Sequence, residues 1–181
     1  MLQGARHEHM HALIKAASSL EIEIEIRELR KSSDISGVDA IVLPGGESTA
    51  MKIASQSEEL YSGIWNCLHE HNLPVLGTCA GAILLSNNGL IDTEIQRNAF
   101  GRQRDSFQST IKTNIDGEAD FPGVFIRAPR FVGECENAIA WLENEAVGVL
   151  EGNRMALTFH PELTEDLRFH VWLIKQASSN N

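Results

Sequence analysis

Residues 77–81 read Gly-Thr-Cys-Ala-Gly, directly after the short apolar run 74–77 and directly before a helix-like stretch at 80–86. A Gly-x-Cys-x-Gly run between a strand and a helix is the thiol form of a nucleophile elbow. The turn is so sharp that its flanking residues must be small. It lifts the sulfur of Cys79 to the carboxyl edge of a sheet, at the positive end of a helix, where a thiolate is favoured. An ordinary buried cysteine in a strand–helix turn has the same local pattern.

The rest of the chain supplies the sheet that such a turn needs. Residues 40–43 form a second apolar run, closed by Pro44-Gly45-Gly46 as a buried strand would be. Residues 21–29 alternate Glu-Ile-Glu-Ile-Glu-Ile-Arg-Glu-Leu with strict period two, which predicts a half-buried strand at or near a sheet edge. Helix-like stretches fall at about 5–19, 48–56, 58–71, 80–86, 137–144 and 164–177. Short strands alternating with helices predict an α/β fold with a mostly parallel central sheet covered on both faces. Further short β-like runs lie at 109–113 and 124–126, and 147–150 pairs with 155–158 around the turn 151–154. The 181 residues suit one domain, 1–181.

Composition narrows the function classes. Net charge is −10, from 15 basic and 25 acidic residues, so a phosphate backbone is repelled and nucleic acid is excluded as a partner. No apolar run approaches the roughly 20 residues that cross a bilayer, and no signal-peptide core is present. Three cysteines, Cys67, Cys79 and Cys135, form no disulfide framework and predict a reducing cytoplasm. Cys67 reads as packing and Cys135 as a loop residue. Trp65, Trp141 and Trp172 fall at helical positions and read as core anchors, and His69, His71 and His170 as surface or satisfied polar groups.

His160-Pro161-Glu162 supplies the partners that a thiol requires. Pro161 pushes His160 into an extended conformation, and residues i and i+2 of extended chain project to one side. Glu162 can then orient one nitrogen of His160 and leave the other facing Cys79. Taken alone, the tripeptide is also a turn histidine beside a surface glutamate. In residues 41–48, an apolar strand ends in two glycines, and backbone N–H groups of Gly45 and Gly46, with that of Ala80, can form an oxyanion hole.

Together these pieces resemble the class I, or triad, glutamine amidotransferases. The blocks Leu2-Gln3-Gly4-Ala5 with Glu8-His9, 44–49, 77–81, Arg97-Asn98-Ala99-Phe100-Gly101-Arg102-Gln103, Phe125-Ile126-Arg127-Ala128-Pro129 and 159–164 resemble, in order, the glutaminase subunits of pyridoxal 5′-phosphate synthase. The resemblance implies a three-layer, flavodoxin-like fold and a triad of Cys79, His160 and Glu162. It implies glutamine contacts from Gly46, Glu47, Ser48, Arg97, Ile126 and Arg127. It implies no cofactor and no metal, and a synthase subunit as partner that receives ammonia by a protected path. Members of the family begin with an apolar strand before Leu-Gln-Gly; here Met1 directly precedes Leu2-Gln3-Gly4, so that first strand reads as truncated.

Three other readings compete. His7-Glu8-His9-Met10-His11 matches the zinc-peptidase pattern H-E-x-x-H, with His7 and His11 as ligands and Glu8 as base, but no third ligand follows at an obvious spacing. A non-catalytic assembly subunit, and a relative using the elbow for peptidase or deglycase chemistry, are the others. The intact triad pattern argues against the former and the Arg97 block against the latter.

Overall fold

The computed structural model describes residues 5–46, 58–97, 106–117 and 119–179. Glu47, Ser48, the segment 48–56, most of the Arg97–Gln103 block and the segment 1–4 lie outside the described residues.

Helix α1 spans Arg6–Ser19 and buries His9, Ala12, Leu13, Ala16 and Ala17, the spacing of one helical face. Strand β1 is Ile41–Leu43, followed by α2 (Glu58–Glu70), β2 (Val75–Thr78) and α3 (Ala80–Asn87). The second half adds β3 (Ile95–Gln96), β4 (Ser106–Thr113), β5 (Ala119–Ile126), β6 (Arg130–Phe131), β7 (Ala138–Leu142), β8 (Glu145–Glu151), β9 (Arg154–Leu157) and α4 (Arg168–Ser179).

The main sheet runs β1-β2-β9-β8-β7-β4-β5, with β3 and β6 paired separately. It has two layers of cover, read directly from the alternation of its strands. Ile41, Leu43, Val75 and Ala156 face a cluster with Leu60, Ile64 and Leu68 of α2 and Leu84 and Leu85 of α3. Val42, Leu76, Met155 and Leu157 face the opposite cluster, with Leu13 and Ala16 of α1 and Phe169 and Leu173 of α4. The α/β layering and the three-layer fold are as expected. The sheet itself is mixed: β1, β2 and β9 are parallel, whereas β9-β8-β7-β4-β5 pair antiparallel. Short turns cause this, because a tight hairpin can join only antiparallel strands. The β8–β9 turn carries Gly152 at φ 60.

Three elements differ from expectation. Residues 137–144 hold a strand, β7, and not a helix, so Trp141 is a half-buried strand residue. A short apolar run reads equally well either way, and the turn with Glu143 at φ 54 folds it back onto β8. Residues 21–29 join no ladder among the described residues, despite their alternation. Ile22 and Ile26 pack against the α1/α4 cluster and Leu29 against the other, while Ile24 is 36% exposed. A cavity of about 310 Å³ separates this segment from β1. Finally, α4 starts at Arg168, because a 3₁₀ turn (Pro161–Leu163) intervenes and Asp166 Oδ1 accepts the Arg168 N–H at 3.1 Å.

Candidate active site

Cys79 ends β2 and begins α3 with φ 49 and ψ −106, a backbone conformation that non-glycine residues rarely adopt. Its neighbours explain why the turn holds. The Cys79 N–H donates to the carbonyl of Leu157 at 2.7 Å, extending the β2–β9 ladder by one bond. A Cβ on Gly81 would lie 1.8 Å from the carbonyl oxygen of Leu43, and one on Gly77 would lie 2.6 Å from Leu85 Cδ1. Only hydrogen fits at either place, so both glycines are fixed by packing. Cys79 is 8% exposed and its Sγ lies 3.9 Å from the carbonyl oxygen of Ile126, toward which the thiol points.

His160 follows the end of β9 by three residues and is held by its own N–H donating to Val124 O at 2.8 Å. Its Nδ1 stands 2.7 Å from Glu162 Oε1, both groups being 6% exposed. The expected contact is present, by a different route: His160 alone is extended (φ −111, ψ 86), and Pro161 opens a 3₁₀ turn that brings Glu162 back. The imidazole of His160 and the side chain of Cys79 both border Gly45, a Cβ on which would lie 2.4 Å from His160 Cε1 and 3.4 Å from Cys79 Cβ. Burial, the largest single influence, opposes protonation of the imidazole. The nearness of Cys79, the bond to Glu162 and the negative charge of both outweigh it and raise His160 to about 10. The trio therefore has the parts of an activated nucleophile: a thiol, a base beside it, and a carboxylate that fixes the base.

Gly45 has a role the sequence did not announce. A Cβ there would sit 2.4 Å from His160 Cε1, so Gly45 must be bare to admit the imidazole. Gly46 has φ 136 and is exposed. Ala80 is the first residue of α3, with its side chain buried. Ile126 is 37% exposed at the end of β5, and Arg127 follows with φ 43. Arg97 is exposed just after β3.

Of the H-E-x-x-H run, His7, Glu8 and His11 are exposed, and among the described residues no three potential ligands gather around one point. His9 faces the other way and is fully buried. Its Nε2 lies 3.1 Å from Thr78 Oγ1 and 3.4 Å from Glu162 Oε2, and its Nδ1 lies 3.0 Å from His170 Nε2. His170 is buried too, a polar group bonded through Nε2 to His9, the second of the two forms expected for it. The signal for His9 was its place on the buried stripe 9, 12, 13, 16, 17 of α1. Cys67 and Cys135 pack at the edge of the α2/α3 cluster, and the three cysteines are free thiols.

The SNO glutamine amidotransferase family matches residues 1–179. The pyridoxal 5′-phosphate synthase subunit PdxT of Thermococcus onnurineus is 42% identical over 190 residues, covering 97% of this chain and 95% of that protein. Its counterpart in Pyrococcus horikoshii is 41% identical, covering 97% and 96%. A crystal structure of a glutamine amidotransferase superposes with a TM-score of 0.83 at 36% identity, over 97% of this chain and 95% of that one. The PurLQS structure from Thermotoga maritima has a TM-score of 0.68 at 16% identity, covering 98% and 93%, and shares the fold. The chain belongs to the SNO glutamine amidotransferase family.

Proposed function

We propose that this chain hydrolyses L-glutamine to glutamate and ammonia at Cys79, and passes the ammonia to a synthase subunit that makes pyridoxal 5′-phosphate. The observation that carries the reading is His160 set beside Cys79 across Gly45 and bonded to Glu162 at 2.7 Å. The names borne by the PdxT relatives supply the pathway.

The Cys79 sulfur attacks the carboxamide carbon of glutamine, and the carbonyl electrons move to oxygen. Backbone N–H groups of Ala80, Gly45 and Gly46 hold that oxyanion. His160 gives its proton to the departing nitrogen, releasing ammonia and leaving a glutamyl thioester. The same imidazole takes a proton from water, whose oxygen attacks the thioester and frees glutamate and the thiol. Glu162 holds the imidazole in one tautomer throughout. Arg97, Ile126 and Arg127 contact the glutamine, with Gly46, Glu47 and Ser48. A guanidinium meets the α-carboxylate and carbonyl or carboxylate oxygens meet the α-ammonium. The whole chain acts as one glutaminase domain in the cytoplasm, where its thiols stay reduced.

Glutamate release from glutamine tests this, for wild type and Cys79→Ala, alone and with a pyridoxal 5′-phosphate synthase subunit. Release that is present or enhanced with the partner, and lost by at least about 10³-fold in the variant, is the expected result. No release in any combination sinks the reading and favours a non-catalytic assembly role.

A further inference from the structure

Behind Cys79 and His160 lies a line of polar side chains, of which the hydrolysis scheme uses only Glu162. Thr78 from β2, Glu162, His9 from α1 and His170 from α4 are all 6% exposed or less. Glu162 spends Oε1 on His160 at 2.7 Å. Its Oε2 is buried and, among the described residues, makes no close hydrogen bond. His9 Nε2 stands 3.4 Å from it. A buried carboxylate oxygen with no donor is costly, so this approach decides which way the imidazoles are protonated.

Two neutral imidazoles in line share one N–H, and it can point in either direction. In one arrangement His9 carries its proton on Nε2, facing Thr78 Oγ1 and Glu162 Oε2. His9 Nδ1 then accepts from His170 Nε2–H, and His170 Nδ1, which has no partner among the described residues, is a bare lone pair. In the other, the Thr78 hydroxyl donates to the His9 Nε2 lone pair, which still faces a carboxylate oxygen at 3.4 Å, and His170 buries an N–H without an acceptor. The second sets two acceptors against each other and orphans a donor, so the first prevails. Burial, reinforced by the charge of His170 and His160, holds His9 well below its usual range, and burial takes His170 to about 4. Both rings are therefore neutral at neutral pH, as the chain of bonds requires.

We propose that His9 is a positioning residue of this site: its Nε2–H holds the second oxygen of Glu162 and the hydroxyl of Thr78 together, with His170 setting its tautomer. One ring thus ties the carboxylate that orients the base to the residue directly before the nucleophile. The inference rests on the reading of Cys79, His160 and Glu162 as a glutaminase triad.

The test compares wild type, His9→Gln, His9→Leu and His170→Phe, each as the full chain with the synthase subunit. Gln carries an amide N–H near the position of Nε2; Leu carries no donor. For His9→Leu, kcat falls on the order of 10- to 100-fold with KM for glutamine within about twofold, because orientation and not binding is lost. His9→Gln recovers most of that loss. His170→Phe, which leaves the His9 ring in place, lowers kcat by a smaller factor and decides the matter if His9→Leu does not fold. Iodoacetamide alkylation of Cys79, followed by mass spectrometry, falls in rate in the same order and needs no glutamine turnover. Wild-type kcat in folded His9→Leu overturns the proposal, and so does a His9→Gln variant as impaired as His9→Leu. Unchanged kcat in His170→Phe does so as well. If wild type itself releases no glutamate, the glutaminase reading falls, while alkylation still decides the role of His9: equal rates in wild type and His9→Leu, or His170→Phe, overturn it.

Discussion

Cys79 is held in a strained conformation by its neighbours' lack of side chains. Its φ of 49 stores on the order of 1–3 kcal/mol of backbone strain. Replacing it with glycine removes that strain and adds about 0.5–1 kcal/mol of unfolded-state entropy. Cys79→Gly should therefore be inactive yet more stable, with a melting temperature higher by about 2–4 °C in a thermal scan; an unchanged or lower value would show the turn to be unstrained. Gly81→Ala should do the reverse. Its methyl would meet the Leu43 carbonyl at 1.8 Å, and backbone cannot move aside as a side chain does. A loss of at least about 3 kcal/mol is expected, read as a fall in denaturant midpoint or as insoluble expression. At this scale the sequence was informative. Gly-x-Cys-x-Gly and His-Pro-Glu name the chemistry because both need particular residues at fixed spacing. His9 and Gly45 were harder to see, because their demands come from Glu162 and His160, which are far away in the chain.

The element that most affects pH response is the contact between α1 and α4. His9 and His170 are both held neutral by burial, whereas in the unfolded chain they protonate below about 6.5. Unfolding thus takes up protons on the acid side. Their contribution to stability is intact above pH 6.5 and is lost as the pH falls toward 4; for His170 alone that is about 3 kcal/mol. His160 has the opposite sign: its stabilisation is full below 6.5 and fades as the pH rises toward 10. Urea midpoints measured from pH 4 to 7 should fall on the acid side, and His170→Phe should flatten the fall; an equally steep profile would place the sensitivity elsewhere. Elements were less legible than residues. The helical stripes of α1 and α2 were plain, because a face that repeats every three or four residues has one reading. The run 138–142 has both periods in too few residues, and only its hairpin with β8 resolves it. The alternation at 21–29 reports extended backbone but carries no information on a ladder partner.

Across the whole molecule, one sheet threads both kinds of pairing, and its two faces are each covered by one continuous apolar cluster. Strands from both the parallel and the antiparallel part enter each cluster, for example Leu76 with Phe121 and Val75 with Val149. Calorimetry should accordingly show a single transition, with calorimetric and van 't Hoff enthalpies in agreement; two separable transitions would mean that the two parts of the sheet fold independently. The mixed sheet could not be read from strand order in the sequence, since neighbours such as β2 and β9 are set by assembly and not by proximity along the chain. The bond from the Cys79 N–H to Leu157 O has a consequence in time. The elbow is completed by a strand that is synthesised almost eighty residues after it, and the base arrives only three residues later still. A ribosome-bound chain halted anywhere before β9 thus carries the nucleophile without its support or its base. On the proposed mechanism, ammonia release requires that β9 and His160 have been made, so a chain halted earlier consumes no glutamine.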